Sequence, residues 1–523
     1  MDDTGRALTF GHLPTACAMT APDYRKKILA AAVYDVAVRT PLDRAPLLSD
    51  RLGNDVFLKR EDLQPIFSFK IRGALNRISG LTAEQLAAGV ICSSAGNHAQ
   101  GVALAARRQN VRAVIVMPET TPSIKVNAVR NLGGEVVLAG DSYDDAYEHA
   151  MSLAAAEGLT FIHPFDDPDV IAGQGTIGRE ILEQSQNPPH AIFVPIGGGG
   201  LAAGIAAWVK SERPEVLVIG VEPEDSAAMS AAFAAGRPVT IDHVGIFADG
   251  VAVRRVGEET FRICRASLDD IVTVSTDHIC AAVQDIYEDT RSIVEPAGAL
   301  AVAGIKRWLE ANPAQERQLI ALNCGANMNF DRLRHIAERA AIGEEREMLL
   351  AAEIPEEPGS FRRFCEAIGK RSITEFNYRI GDGTSARVFV GVELRDGRAE
   401  RQSILDNLQA ARLSVIDLSD NELAKLHVRH MVGGRSGLAD SERLFRFEFP
   451  ERPGALSDFL DAIGTAWNIS LFHYRNHGSD HGRVLAGIQL AGRNGAELEQ
   501  HLNALGYPYW EESDNPAYRV FLA

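Results

Sequence analysis

Four times in the first two-thirds of the chain, a short β-branched apolar run gives way to a Gly/Ser/Asn-rich turn and then to an alanine-rich amphipathic stretch. The stretches are GVICSSAGNHAQGVALAARR, RAVIVMPETTPSIKVNAVRNLGG, EVVLAGDSYDDAYEHAMSLAAAEG and AIFVPIGGGGLAAGIAAWVK, and each reads as strand, loop and helix. This alternation restricts the fold to a mostly parallel sheet covered by helices, because parallel neighbours need a crossover and the crossover is a helix lying on the sheet. Such sheets bind ligands beyond the carboxyl ends of their strands. The loops after VIC, IFVPI and LIALN are therefore expected to converge on one crevice.

The pattern changes near residue 345. EIPEEPGSFRRFCEAIGKRSITEFNYR begins soon after, and about 95 residues later it returns as EFPERPGALSDFLDAIGTAWNISLFHYR. Each copy has a strand-like entry, a Pro-Gly turn, a helix with apolar residues at helical spacing, and a strand ending in Tyr-Arg. The expected organisation is an α/β domain over 1–345 and two small α+β modules over 346–436 and 441–523, separated near the glycine-rich MVGGRSGLAD. The modules hold no catalytic constellation and read as regulatory.

A chain of 523 residues with 46% hydrophobic and 24% charged side chains can bury more than one core. Its formal charge of −17 argues against nucleic-acid or anionic-membrane partners and leaves small molecules as the expected ligands. The six cysteines (Cys17, Cys92, Cys264, Cys280, Cys324 and Cys365) form no CxxC pair and no disulfide framework. Reduced thiols and a cytoplasmic location follow as expectations. The first segment, MDDTGRALTFGHLPTACAMT, carries neither a signal-peptide core nor a transit-peptide bias, and it reads as a flexible arm of about 20 residues. No apolar run reaches membrane-spanning length.

Four segments carry chemistry. In PIGGGGLAAG, four glycines between a strand and a helix free backbone N–H groups to face an anion at a helix N-terminus, although a tight turn alone would use one or two of them. No Gly-Lys-Ser/Thr follows to make a P-loop. A dinucleotide fingerprint would need an acid about 20 positions on, and Glu222 stands near that distance without the right context. In SSAGNHAQG, Asn97 is either an amide donor to a flat ligand or a helix cap, and His98 reads as a packed structural residue. In NCGAN, Cys324 is either an inert buried thiol or one that faces a ligand's ring. Lys70, in SFKIRGA, would by itself be a solvated cation. Beside a phosphate cradle and an amide donor, it is what an aldehyde cofactor needs to form a Schiff base.

Together the stretches LKREDLQPIFSFKIRGA, SSAGNHAQGVA, PIGGGGL, VEPAGA and GANMNF, spread over residues 35 to 335, resemble the fold-type II (tryptophan synthase β-like) pyridoxal-phosphate enzymes, and within them the biosynthetic threonine dehydratases (threonine ammonia-lyases). The repeated modules resemble the ACT-like regulatory domains that such enzymes carry at the C-terminus. The resemblance implies that Lys70 holds pyridoxal 5'-phosphate covalently and that Gly197, Gly198, Gly199, Gly200 and Leu201 bind its phosphate through backbone amides. It further implies that Asn97 donates to the phenolic oxygen and that Cys324 lies toward the ring nitrogen, leaving that nitrogen without a carboxylate partner. No metal site is assigned. For a cation site near Glu222, of the kind possible in related enzymes, too few residues match for an assignment.

The implied reaction is dehydration of L-threonine to 2-oxobutanoate and ammonia, the first step of isoleucine biosynthesis, with serine as a second substrate because it lacks only the β-methyl. Lys70 would take the Cα proton, which needs a depressed pKa, and burial and the neighbouring Arg72 would both favour that. Arg72 could instead be a solvated or salt-bridged cation. Serine racemases place a serine directly before the Gly-Asn of the asparagine loop, where this chain has Ala95, so racemisation lacks its acid. From another class, an amino-acid sensor with a degenerate catalytic domain is opposed by the intact Lys70, Asn97 and glycine loop. Isoleucine as inhibitor and a homotetramer are the remaining expectations of the resemblance.

Overall fold

The computed structural model describes residues 23–313, 315–355, 360–369, 371, 373–380, 385–430, 442–450, 459, 467–475, 481–490 and 494–522. The N-terminal arm, the two Pro-Gly turns and the MVGGRSGLAD segment read from the sequence lie outside the described residues. The chain divides into two compact units, Met1–Met328 and Asn329–Ala523.

The first unit contains two sheets, which corrects the expectation of a single mostly parallel sheet drawn from the strand-helix alternation. Strands β1 (Leu42–Arg44), β2 (Asp55–Arg60), β7 (Ala191–Pro195), β8 (Leu217–Pro223), β9 (Asp270–Val274) and β10 (Gln318–Asn323) form a six-stranded sheet in the order β1-β2-β10-β7-β8-β9. Only β1 runs antiparallel to its neighbour. Strands β3 (Val90–Ser93), β4 (Ala113–Met117), β5 (Glu135–Leu138) and β6 (Thr160–Phe161) form a parallel sheet in the order β5-β4-β3-β6. Because β10 enters between β2 and β7, the loop carrying Cys324 emerges beside the loops carrying Lys70 and the glycine run. The second sheet supplies Asn97, just after β3.

The helix Lys70–Ser79 anchors the arrangement. Its Ile71, Ala74, Leu75 and Ile78 recur at helical spacing and are buried together with Ala99, Val102 and Ala103 of helix Asn97–Arg108 and with Cys92 and Ile115 of the smaller sheet. On another side it crosses helix Pro168–Gln184 at backbone distance: a Cβ at Gly173 would lie 2.6 Å from Arg72 O.

Two residues into this helix, Arg72 turns away from Lys70 and into a fully buried ion cluster. Its guanidinium donates to both oxygens of Glu61 at 2.8 Å and to Glu180 Oε1 at 2.6 Å, while Lys59 Nζ donates to Glu180 Oε2 at 2.6 Å. Two cations thus face two carboxylates, all at most 1% exposed. The expectation that Arg72 lowers the Lys70 pKa is corrected by this pairing, which spends its charge on the two glutamates. Removing one carboxylate leaves a buried cation without compensation. Glu180→Ala should therefore cost about 3–5 kcal/mol, read as a lower urea midpoint for the first transition with its slope preserved.

In the second unit the sequence repeat becomes a repeat of topology. Strands β11 (Glu347–Pro355), β12 (Ile373–Ile380), β13 (Ser385–Glu393) and β14 (Ser414–Asp417) form an antiparallel sheet ordered β12-β13-β11-β14. Strands β15 (Glu442–Pro450), β16 (Asn468–Arg475), β17 (His481–Gln489) and β18 (Tyr509–Glu511) repeat that order as β16-β17-β15-β18. Even an irregularity recurs, between Ile373 and Glu375 in one sheet and between Ile469 and Leu471 in the other.

Alternation along β11 assigns its two faces. Met348, Leu350, Ala352 and Ile354 pack with Phe364, Ile404 and Leu408 of the module's own helices, whereas Leu349 and Ala351 join a core shared with Leu444, Leu485, Tyr518 and Phe521 of the second module. The two modules are one folded unit with a common interior. Helix Arg332–Gly343, which the expected boundary at 345 assigns to the α/β domain, falls in this unit: Ile342 enters the shared core and Arg339 donates to Glu422 at 2.7 Å. No helix among the described residues is long and apolar enough to cross a membrane.

Candidate active site

Lys70 reaches its place through a backbone zipper. After β2 and the single turn Glu61–Leu63, the chain passes Phe67, whose φ of 54° is unusual for an aromatic residue, and runs antiparallel to the Cys324 loop. Ala326 N donates to Phe67 O at 2.9 Å, Phe69 N donates to Cys324 O at 3.3 Å, and Ser68 bridges Gly325. Lys70 then opens its helix, and its Nζ donates to Pro164 O at 2.9 Å. Burial pushes this amine down to about 8, against the charge of nearby Glu295.

The glycine run follows β7 and opens helix Gly200–Glu212, with Gly199 in the left-handed region at φ 96°. Side chains have no room here. A Cβ at Gly198 would lie 2.2 Å from the Phe165 ring, and one at Gly197 would lie 2.9 Å from Val251 Cα. The carbonyls are drawn away, since Gly198 O accepts from Thr260 Oγ1 at 2.7 Å and Gly199 O from Ala203 N at 2.8 Å. What the segment offers the cleft is backbone N–H at the positive end of a helix.

Asn97 is not a cap. Gly96 holds the N-cap position, and the Asn97 amide is committed elsewhere: Nδ2 donates to Glu295 Oε1 at 2.7 Å, and Oδ1 accepts from Asn327 Nδ2 at 2.7 Å. His98 is structural as read, with Nε2 2.8 Å from Ile162 O and burial pushing its ring down to about 3, so that it stays neutral. Cys324 is 3% exposed and its thiol donates to Ala297 O at 3.3 Å. Burial holds that thiol well above its ordinary pKa, so it is a neutral group at neutral pH.

All eight residues singled out from the sequence, namely Lys70, Asn97, Gly197, Gly198, Gly199, Gly200, Leu201 and Cys324, line one cleft, together with Phe165, Val251 and Glu295. Sequence reasoning gave no role to Glu295, Asn327, Pro164 or Phe165. The first two lay inside VEPAGA and GANMNF, where an acid before a proline reads as a helix start. Glu222 is turned to another task, accepting from Met229 N, Ser230 N and Ser230 Oγ at 2.6–2.9 Å beside helix Ala228–Ala235. Among the described residues no three His, Cys, Asp or Glu side chains gather as metal ligands.

A lysine amine of depressed pKa, an oriented amide and a glycine cradle that a Cβ would fill make a donor set suited to a phosphorylated aldehyde. The comparisons agree. Residues 33–325 match the family described as pyridoxal-phosphate dependent enzyme, and 338–428 and 433–522 each match the C-terminal regulatory domain of threonine dehydratase. The chain is 59% identical over 508 residues to the L-threonine dehydratase biosynthetic IlvA of Burkholderia multivorans, covering 97% of this chain and 100% of the relative. It is 53% identical over 510 residues to that of Escherichia coli, covering 98% and 99%. Among solved structures, the processed form of threonine deaminase isoform 2 from Solanum lycopersicum superposes with a TM-score of 0.60 at 47% identity, over 64% of this chain and 99% of that one.

Fold and cleft together define a pyridoxal-phosphate-dependent lyase of fold type II with a C-terminal regulatory unit. The chain belongs to the biosynthetic threonine dehydratase family.

The Lys70 pKa gives this site a pH signature. Only the neutral amine attacks an aldehyde, and its fraction rises as pH passes through the folded pKa. Uptake of pyridoxal phosphate by the apoprotein, followed by absorbance between about pH 6 and 10, should reach half its maximal rate near pH 8, where an ordinary lysine would need about 10.4.

Proposed function

We propose that the cleft dehydrates L-threonine to 2-oxobutanoate and ammonia, the committed step toward isoleucine, with Lys70 as the residue that carries the cofactor and then moves the proton. Bound pyridoxal phosphate supplies an electron sink next to the substrate Cα. The chain's own groups do the rest. The backbone N–H groups of Gly197 to Leu201 hold the phosphate, and the ring of Phe165 packs on Gly198. One N–H of Asn97 goes to Glu295, and the second remains for the phenolic oxygen. Cys324, a neutral thiol lining the same cleft, would face the ring nitrogen in place of a carboxylate. The Lys70 amine, pushed down to about 8, is neutral often enough near pH 7 to accept the Cα proton.

The observation that carries this reading is the convergence of amine, amide and glycine loop on one cleft. The regulatory unit takes an amino-acid effector, isoleucine, and the enzyme works as a homotetramer in the cytoplasm, in keeping with the buried free thiols Cys92, Cys264, Cys280 and Cys324. Serine enters the same pocket at a cost of about 1–3 kcal/mol for the missing methyl. The test of the cradle is to titrate apoprotein with pyridoxal and with pyridoxal phosphate and to follow 2-oxobutanoate formation from threonine. The phosphorylated form should bind at least about a hundredfold more tightly, since several N–H bonds to a dianion depend on it. Equal affinities would remove the glycine loop from the assignment.

A further inference from the structure

An asparagine amide is useful to a ligand only if its nitrogen and oxygen face the right way, and either orientation fits the same space. In this cleft the orientation of Asn97 is fixed by a chain of groups whose own polarity allows no choice. Ile66 O, a backbone carbonyl, can only accept, and it accepts from Asn327 Nδ2 at 2.7 Å. That presents the Asn327 amide nitrogen to Asn97, whose Oδ1 accepts from it at 2.7 Å. On the other side Glu295 accepts from Asn97 Nδ2 at 2.7 Å. Turning the Asn97 amide over would set nitrogen against nitrogen and oxygen against carboxylate. Glu295 is held for this task as well: its N–H donates to Gly325 O at 3.1 Å, and a Cβ at Gly325 would lie 2.2 Å from Glu295 Oε1. Neither Glu295, 4% exposed, nor Asn327 received a role from the sequence.

We infer that Asn327 and Glu295 are positioning residues that lock the Asn97 amide with one N–H directed to the cofactor's oxygen, making Ile66 O, Asn327, Asn97 and Glu295 a single polarity-setting relay. The inference rests on the reading of Asn97 as the donor to that oxygen. Asn327→Asp is the discriminating change, because a carboxylate nearly identical in shape accepts where the amide donated. The Asn97 nitrogen is then drawn to residue 327, and its oxygen is left toward Glu295 and the ligand.

The experiment titrates pyridoxal phosphate into full-length apoprotein for wild type, N327D, N97A and E295Q, recording dissociation constant, absorbance maximum of the bound cofactor and apoprotein melting temperature. N327D and N97A should each weaken binding by about tenfold to a hundredfold, the scale of an unsatisfied buried polar group, and should shift the absorbance maximum. E295Q replaces an obligate acceptor with an amide that can turn over, and it should also weaken binding, by less than N327D. Where N327D lowers the apoprotein melting temperature, N327A, which removes the donor without adding charge, is read in its place, with weakening again expected. Wild-type affinity and spectrum in the residue-327 variant, with N97A impaired, would overturn the relay and leave the role of Asn97 standing. Wild-type behaviour in N97A would overturn both.

Discussion

The Lys70→Ala protein is expected to fold as the wild type does and to lose threonine dehydration by about 10⁴-fold or more. Two functions disappear together: the covalent hold on the cofactor and the base that takes the Cα proton, the second alone being worth about 10²–10⁴. The fold should tolerate the loss. Alanine is a good first-turn residue, and the zipper that places residue 70 is made by the backbone of Phe67, Phe69 and Ala326, without the lysine side chain. Lys70→Arg should fail as well, because a guanidinium stays charged and neither attacks an aldehyde nor accepts a proton near neutrality. Initial rates of 2-oxobutanoate formation, with circular dichroism of each variant as the folding control, provide the measurement. Activity in either variant within tenfold of wild type would remove Lys70 from the chemistry.

The second large effect is regulatory. Ending the chain after Met328 should keep threonine dehydration and abolish any response to isoleucine. The cut belongs at the boundary between the two compact units and not near 345, because helix Arg332–Gly343 buries Ile336, Ala340 and Ile342 and its Arg339 is paired with Glu422 of the regulatory unit. Leaving that helix behind would expose its apolar face. The first unit has its own interior in the clusters around Leu75 and Ile115 and around Val114 and Ala150, as folding without the second requires, and circular dichroism of the truncated chain is the control. An effector acts only through a difference in affinity between two states, and coupling of about 1–3 kcal/mol corresponds to roughly 5- to 150-fold in threonine affinity. Rates at subsaturating threonine, with and without isoleucine, should therefore differ for the full chain and coincide for the truncated one. Inhibition that survives truncation would put the effector site in the first unit.

Much of the site was legible because its parts are local. Lys70 stands at a helix start, the glycine run joins β7 to its helix, and Asn97 and Cys324 each follow a strand; period and turn chemistry mark all four places. What no local pattern carries is the long-range partner. Glu295 and Asn97 are nearly two hundred positions apart, so a glutamate before proline reads as a helix start although its carboxylate serves the cleft. Arg72 misleads for the opposite reason: two residues of helix turn it to the far side from Lys70, toward Glu61 and Glu180, which proximity in sequence conceals. The repeat of the regulatory modules was visible, but their common core was not. It depends on which face of β11 meets the other sheet, and alternation gives two faces without naming the neighbour of either. Helix Arg332–Gly343 shows the same limit, since its amphipathic pattern is compatible with either unit and only packing assigns it.

The central claim is that one lysine amine, held in the cleft between the glycine loop and Cys324, carries the aldehyde cofactor. Borohydride reduction of the full-length protein loaded with pyridoxal phosphate, followed by proteolysis and mass spectrometry, reads this directly, because reduction makes the nitrogen-carbon linkage permanent at whichever lysine holds it. The expected result is a single phosphopyridoxyl group on the peptide containing Ser68, Phe69 and Lys70, with loss of the reducible absorbance band and of threonine dehydration in proportion. Labelling at another lysine, or stoichiometric cofactor binding with Lys70 unmodified, would contradict it.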